Sequence, residues 1–495
     1  MHLDEDICYR ALRTRDVRFD GRFFTGITST GIYCRPICPA RTPRRAHCRF
    51  FACAAAAEQA GYRPCRRCRP ETSPGTPAWQ GTSSTVNRAL QLIDEGALDE
   101  GGVEDLAARL GIGDRHLRRL FDELLGTSPL AVALSRRVHF AKRLLEETLL
   151  PAGDVALASG FHNTRRFNAA FRKCFGRTPS EVRRAAEKKA SPASSGRIEL
   201  RLAYRAPLAW QEMLDYFGPR AIPGVEQVRA GTYRRTVCLD DAAGLLEVAS
   251  DEATGVIVLR APVAAAPRLA EWVARVRAQF DLSADPAVID EHLNEDPALA
   301  GTQAPPGLRV PGAFDRFELA VRAILGQQIT VRGATKLSGR LVRAFGRPFE
   351  DLENGERAQE ENAGPCWLFP RAADLARASA SKMAEIGMPT ARAATIHRLS
   401  CAVAAGETVL EPAADLDEAV RRLVAIDGIG EWTAHYVAMR ALREPDAFPS
   451  GDLGLRRALA AGAKPLSARA LSARAEAWRP WRAYAAVRLW YSLSR

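Results

Sequence analysis

Cys34 and Cys38 enclose three residues, and downstream Cys65 and Cys68 enclose two. Two thiol pairs at such short spacing can converge on one tetrahedral ion, and sulfur-rich tetrahedral sites suit zinc. A metal-bound cysteine is a thiolate at neutral pH, and the thiolate is the nucleophilic form. The quartet is thus a structural zinc site or a reactive one, and spacing alone favours the structural role. Cys48 and Cys53, between the two pairs, lack a close partner and read as small buried residues. A second candidate centre lies far downstream in Leu423 to Tyr436, LVAIDGIGEWTAHY. There Gly428 and Gly430 flank Ile429 in a tight turn between two helices. Such a turn aims backbone N–H groups at a phosphate, aided by the N-terminus of the second helix. It grips backbone without reading bases. Asp452 follows 22 residues after Gly430, in Phe448-Pro449-Ser450-Gly451-Asp452-Leu453. A carboxylate after glycine suits a helix N-cap.

Between these centres lies a third, basic one. Val103 to Ile112 reads as a helix with a glycine turn, after which Asp114 is expected to cap a helix from Arg115 to Leu125 carrying Arg118 and Arg119. The pattern recurs in Val155 to Phe161 followed by Asn163 to Phe175, carrying Arg165 and Arg166, with Phe167, Ala170 and Phe171 as the core stripe. A longer helix, about 129–149, separates the two. This is helix-turn-helix grammar, whose second helix can enter the major groove.

The elements that hold these centres fall into four segments, and 495 residues exceed what one hydrophobic core serves. The expected domains are 1–75 around the cysteines, 84–189 for the helix-turn-helix units, 197–282 as a small α+β domain, and 283–495, helical almost to its end. Linkers are expected at Thr72 to Pro77 and Ala190 to Gly196, and a surface loop at 353–364. Alternation in Ile198-Glu199-Leu200-Arg201-Leu202 and the run Gly255 to Leu259 predict strands. The fold class is multidomain and mainly α. A formal charge of +12 favours a polyanionic partner, most simply nucleic acid. The acidic N-terminus has no apolar run after it, and no stretch approaches the roughly 20 apolar residues that span a bilayer. A reducing cytoplasm is therefore expected, with no membrane partner and no disulfides.

The words around the quartet, Thr30-Gly31-Ile32-Tyr33-Cys34-Arg35-Pro36 and Gly61-Tyr62-Arg63-Pro64-Cys65-Arg66-Arg67-Cys68, closely resemble the zinc domain of the Ada methyl acceptors over residues 5–72. The resemblance implies one zinc ion held by Cys34, Cys38, Cys65 and Cys68, with Cys34 also accepting methyl groups from DNA phosphotriesters. Four thiolates on zinc carry a net −2 that methylation reduces to −1. Beside Arg35, Arg63, Arg66, Arg67 and Arg69 that change should strengthen DNA binding. The paired helix-turn-helix units, ending in Phe175-Gly176-Arg177-Thr178-Pro179-Ser180-Glu181, resemble the AraC family, which implies operator DNA and RNA polymerase as partners.

Residues 198–495 resemble the AlkA-type 3-methyladenine DNA glycosylases of the helix-hairpin-helix superfamily, on the hairpin, Asp452, Ala323 to Ile329, and the Trp478 to Tyr491 region. This implies Asp452 as the catalytic residue, Gly428, Ile429 and Gly430 as the DNA grip, and Trp432, Tyr436 and Trp490 as the pocket for a flipped-out base. The implied activity is that of a monofunctional hydrolase releasing 3-methyladenine and 7-methylguanine, because Trp432 stands where lyase-competent relatives carry lysine. No cysteine follows Cys401, so no iron–sulfur cluster is expected. In these relatives an apolar wedge enters the duplex at the position of Gln328, so this chain departs from the pattern there. A competing function is a damage-responsive regulator whose C-terminal half only grips DNA. The Pro-Cys-His-Arg word of alkylguanine transferases is absent. A monomer working at the nucleoid is expected.

Overall fold

A computed structural model of the chain describes residues 4–74, 84–187, 197–239, 242–350, 364–460 and 464–493. The fold divides into two compact units, one comprising Met1–Arg205, Asp251–Ala274 and Leu282–Asp285, the other Ala206–Ser250, Arg275–Asp281 and Pro286–Arg495.

The first unit begins with α1 (Glu5–Thr14), capped by Asp4, whose carboxylate accepts from the amides of Asp6 and Ile7. A four-stranded sheet follows, β1 (Phe24–Ile27), β2 (Ile32–Cys34), β3 (Cys48–Phe51) and β4 (Arg63–Pro64), in the order β3-β1-β2-β4. β1 runs antiparallel to β2 and β3, whereas β4 joins β2 in parallel. Helix α2 (Ala54–Gln59) supplies Ala57 to a core of Phe24, Tyr33 and Tyr62. Then come α3 (Ser84–Asp94), α4 (Ala97–Glu100), α5 (Val103–Arg109), α6 (Asp114–Leu125), α7 (Pro129–Glu147), α8 (Ala152–Ala158), α9 (Thr164–Phe175) and α10 (Pro179–Glu187). In α6 the buried residues are Leu117, Phe121 and Leu125, and in α9 Phe167, Phe171 and Phe175. A four-residue period puts each trio on one face and leaves the arginines outside.

Two local expectations shift. The cap of α6 is Gly113, in extended conformation; Asp114 opens the helix instead, and its carboxylate reaches Arg118 one turn on at 3.5 Å. An acidic residue in the first turn is favoured by the helix dipole as well as by that pair. Helix α7 stops at Glu147, short of the expected 149, because Thr148 turns extended on the way to Pro151. Of the expected linkers, 75–77 and 190–196 lie outside the described residues, as does 353–363 of the expected loop; Thr72 closes a short 3-10 turn with Pro70.

Strands β5 (Arg197–Ala203) and β9 (Val256–Pro262) pair antiparallel, Arg197 opposite Pro262 through Ala203 opposite Val256. In β5 side chains at 198, 200 and 202 are buried, the alternation its sequence predicts. In the second unit β6 (Glu226–Arg229), β7 (Thr232–Leu239) and β8 (Ala242–Asp251) form an antiparallel meander, preceded by α11 (Trp210–Phe217). The chain continues as α12 (Leu269–Gln279), α13 (Pro286–Asn294), α14 (Pro297–Ala300), α15 (Arg316–Leu325) and α16 (Val331–Phe345). After the short strands β10 (Arg347–Pro348) and β11 (Trp367–Leu368) come α17 (Ala372–Arg377), α18 (Ala380–Ala384), α19 (Thr390–Ala404), α20 (Leu416–Val424), α21 (Glu431–Arg440), α22 (Leu453–Ala458), α23 (Ala468–Ala475) and α24 (Arg482–Leu493). Among the described residues no helix is long and apolar enough to cross a membrane.

Candidate functional site

The parallel pairing of β2 with β4 sets Ile32 opposite Arg63 and Tyr33 opposite Pro64, so Cys34 and Cys65 emerge side by side at the strand ends. The amide of Cys65 donates to the Tyr33 carbonyl at 2.9 Å, which locks that register. A turn closed by the Cys38 amide on the Arg35 carbonyl brings Cys38 round, and the Arg35 amide donates to the Cys68 sulfur at 3.3 Å. All four thiols are buried, with their sulfurs within 4.8 Å of one another. Sulfurs at about 2.3 Å from a tetrahedral zinc stand about 3.8 Å apart, and Cys38 and Cys65 are 3.9 Å apart. The donor set fits zinc.

A groove of about 860 Å³ opens beside the quartet, with Cys34 and Cys65 in its wall and Arg41, Arg44, Arg63, Arg66 and Arg67 around it. Two of the arginines expected there are engaged elsewhere. Arg35 binds Asp20, the Cys68 carbonyl and Thr72; Arg69 binds Glu71 and Glu146. Cys48 and Cys53 are buried, their sulfurs against the carbonyls of Arg44 and Leu125. Behind Cys34 the Tyr33 hydroxyl donates to Glu58 at 2.8 Å, and Glu58 meets His139 of α7 at 2.6 Å. Burial lowers the pKa of His139, but the Glu58 charge more than offsets this and holds it above the usual histidine value. Arg118 and Arg119 on α6 and Arg165 and Arg166 on α9 are exposed, on two separate helices.

The second centre lies in the other unit. The turn between α20 and α21 depends on Gly428, whose φ is +93° and whose Cβ, if present, would sit 1.9 Å from the Thr395 hydroxyl. That hydroxyl donates to the Asp427 carbonyl at 3.0 Å. Gly430 is the N-cap of α21 and faces open space. Ile429 points inward and its amide donates to the Ile426 carbonyl, so it shapes the turn rather than facing outward. The loop carrying Gln328 is tied to this turn. Gln327 donates to the Gly428 carbonyl and the Thr433 hydroxyl, both at 3.1 Å, and Arg392 donates to the carbonyls of Leu325 and Gln327. Gln328 itself is exposed with φ +57°, next to an exposed Ile329.

Asp452 caps α22, its Oδ1 accepting from the Leu455 amide at 3.0 Å. The same oxygen accepts from the Trp490 indole at 3.1 Å, and Oδ2 accepts from the Trp432 indole at 3.2 Å. Trp432 stacks on Tyr436 with ring centres 5.4 Å apart, and Trp490 stands 6.2 Å from Tyr436. Asp452, Trp432, Tyr436 and Trp490, separated in sequence, thus converge on one half-buried, aromatic-walled spot. The approach to Asp452 is held by Asp446, which pairs with Arg482, and by the Phe448 amide on His435 Nδ1 at 3.3 Å. Trp478 and Tyr484 are structural, donating to Asp296 and Asp281. Sequence reasoning missed Tyr216, whose hydroxyl lies 3.2 Å from that of Tyr436, and Arg440, which donates to the latter at 2.6 Å. Neither sits in a recognisable motif.

Residues 7–71 match the metal binding domain of Ada, 106–185 a helix-turn-helix domain, 199–315 the AlkA N-terminal domain, and 321–482 the HhH-GPD superfamily of base excision DNA repair proteins. The chain is 31% identical over 292 residues to DNA-3-methyladenine glycosylase 2 of Escherichia coli, covering 59% of this chain and 96% of that one. It is 31% identical over 175 residues to the bifunctional transcriptional activator/DNA repair enzyme AdaA of Bacillus subtilis, covering 35% of this chain and 81% of that one. Over 498 residues it is 41% identical to a Mycobacterium tuberculosis protein described as "Probable bifunctional transcriptional activator/DNA repair enzyme AlkA", covering 100% of this chain and 97% of that one. With that identity extending over the whole of both chains but for 3% of the relative, the chain belongs to the family of bifunctional transcriptional activator/DNA repair enzymes.

Proposed function

We propose that this protein repairs alkylated DNA by two chemistries and regulates that repair, with its domains at 1–75, 84–189, 197–282 and 283–495. The observation that carries the glycosylase half is the carboxylate of Asp452 held between two indole N–H groups. Gly428 and Gly430 let the hairpin backbone and the first turn of α21 meet a DNA phosphate, while Gln328, on its braced loop, faces the gap left by a flipped base. N-alkylation makes a purine cationic and a better leaving group. The C1′–N bond breaks, its electron pair neutralises the departing base, and positive charge passes to the sugar opposite Asp452. Water then adds at C1′ and yields its proton to the same carboxylate. Trp432, Tyr436 and Trp490 supply the aromatic faces that hold the base, an attraction worth about 0.5–2 kcal/mol for a cationic ring.

In the N-terminal half Cys34, Cys38, Cys65 and Cys68 hold one zinc ion, which keeps the sulfurs as thiolates. Cys34 attacks the methyl carbon of a phosphotriester; the S–CH3 bond forms as C–O breaks, and the phosphate keeps the electron pair as a diester anion. Loss of one negative charge beside Arg63, Arg66 and Arg67 strengthens the hold on DNA. Arg118, Arg119, Arg165 and Arg166 then engage operator DNA, and RNA polymerase is the partner of the bound activator. The protein works as a cytoplasmic monomer at the nucleoid, without an iron–sulfur cluster. Release of methylated purines from alkylated duplex DNA, together with methyl uptake that disappears in Cys34→Ala, tests both halves. A folded, DNA-binding wild type that releases no base refutes the glycosylase, and uptake retained in Cys34→Ala refutes the acceptor.

A further inference from the structure

The aromatic site has two unlike ends. At one, Asp452 takes up both indole N–H groups. At the other, beyond Tyr436, stand two arginines that the proposed chemistry leaves unused. Arg440 donates from Nη1 to the Tyr436 hydroxyl at 2.6 Å, from Nε to the Pro311 carbonyl at 2.7 Å and from Nη2 to the Gly312 carbonyl at 3.2 Å. Three bonds fix it in place. Its guanidinium lies 4.9 Å from the centre of the Tyr216 ring and 5.3 Å from that of Tyr436. Arg220, which donates to the Tyr216 carbonyl at 3.0 Å, lies 3.9 Å from the Tyr216 ring centre. The two tyrosine hydroxyl oxygens are 3.2 Å apart.

Counting protons shows what this end offers. Two hydroxyls carry two protons, and only one can bridge the gap between them. Arg440 occupies an acceptor site on Tyr436 and contributes none of those protons. One O–H is therefore left to donate outside the pair, whichever tyrosine bridges. Two fixed cations behind it strengthen that donor and make the pair a poor acceptor. Burial alone would raise the Tyr436 pKa, yet Arg440 and then Arg220 outweigh it and hold it below the usual tyrosine value; at Tyr216 burial wins over the same two cations and its pKa is raised.

We infer that the Tyr216–Tyr436 hydroxyl pair, with Arg440 behind it, determines specificity: the relay favours purines whose edge remote from the sugar carries a carbonyl oxygen over purines carrying an amino group there. A 6-oxopurine supplies the acceptor that the spare hydroxyl requires. A 6-aminopurine presents N–H groups to a donor backed by positive charge, and leaves a buried donor unpaired. The inference rests on the glycosylase proposed above.

The test uses the full-length protein and one preparation of methylated duplex DNA, which contains both 7-methylguanine and 3-methyladenine. Single-turnover release of the two bases is followed for the wild type and for the double variant Tyr216→Phe, Tyr436→Phe, because either hydroxyl left alone keeps one O–H free to donate. Phenylalanine keeps both rings, with the edge contact of residue 216 on Phe217, and removes only the hydroxyls. An unpaired donor at this end discriminates on the order of tenfold, so the ratio of 7-methylguanine to 3-methyladenine release should fall by about that factor in the variant. Because both bases come from the same DNA, a general loss of stability moves both rates and leaves the ratio alone. An unchanged ratio in an active variant overturns this inference while the glycosylase stands. A wild type that releases neither base overturns both.

Discussion

Asp452 offers the sharpest test, because the structure gives it two separable duties. As the cap of α22 it accepts one amide; as the proposed catalytic carboxylate it presents a negative charge between two indoles. Asp452→Ser separates them. Serine caps a helix about as well as aspartate, so α22 keeps its first turn, whereas the charge and both indole contacts are lost. If the carboxylate lies about 4 Å from the sugar at an effective dielectric of about 20, it stabilises a full positive charge by about 4 kcal/mol. That corresponds to roughly a thousandfold in rate. Asp452→Asn keeps the size but sets an N–H₂ group against one of the three N–H donors, costing about 1–2 kcal/mol of stability besides the lost charge. Both variants should therefore lose about three orders of magnitude in single-turnover release of 7-methylguanine while binding DNA normally. Thermal melting should fall in both, because Ser leaves the two indole N–H groups without their acceptor and Asn opposes one donor with another. Retention of wild-type rate within tenfold in a folded Asp452→Ser protein refutes the catalytic assignment and leaves Asp452 as a cap alone.

Removing zinc with a strong chelator should abolish methyl uptake and lower the melting temperature of the first unit, with base release unchanged; equal loss of both activities contradicts two separate centres. Gly428→Ala requires a left-handed alanine and a collision with Thr395, so it should cost at least 2 kcal/mol and weaken DNA binding, with partial recovery in the double variant with Thr395→Ala measured by denaturant melting. The Glu58–His139 pair predicts a pH profile. His139, facing Glu58, Tyr33, Cys174, Glu71 and Lys142, has a raised pKa, whereas burial raises that of Glu58 but His139 more than offsets this and holds it low. Its contribution is thus full below the unfolded histidine value of about 6.5 and lost as pH rises through the folded one; on the acid side it is lost as pH falls through the folded Glu58 value. His139→Gln should lower the stability of the first unit by about 3 kcal/mol near pH 6 and flatten that profile in thermal melts.

What the sequence disclosed was local. Phe167 and Phe171 on the core face of α9, the alternation of β5 and the glycine turn at Gly428 follow from chain geometry over a few residues; Ala170, expected in the same stripe, is only half-buried, and Phe175 one turn beyond Phe171 completes the face instead. The cysteine spacing predicted a shared ion, though not the parallel strand register that brings Cys34 to Cys65. Side-chain partners were hidden wherever they lie far apart in the chain. Tyr216 meets Tyr436 across 220 positions, and Glu58 meets His139 across 81. A tyrosine on a half-buried helix announces packing and says nothing of the hydroxyl opposite. The same limit explains the arginines around the quartet. A cluster of five in the sequence sums to a positive field, but Arg35 and Arg69 are consumed by internal acids, and only the direction of each side chain separates them from Arg63, Arg66 and Arg67 in the groove.

Asp452 joins the local and distant parts of the problem. Its place after Gly451 suits a cap, and the cap bond to Leu455 orients the carboxylate plane. Once one oxygen is fixed on that amide and on Trp490, the other is left facing Trp432, twenty residues earlier in the chain and in the first turn of the hairpin's second helix. The second helix of the hairpin therefore carries an indole that binds the carboxylate. A shift of the hairpin must move Trp432, and with it the hydrogen bond to the Asp452 carboxylate. Capping does not compete with the catalytic role proposed for this residue; the cap bond sets the direction in which its carboxylate points.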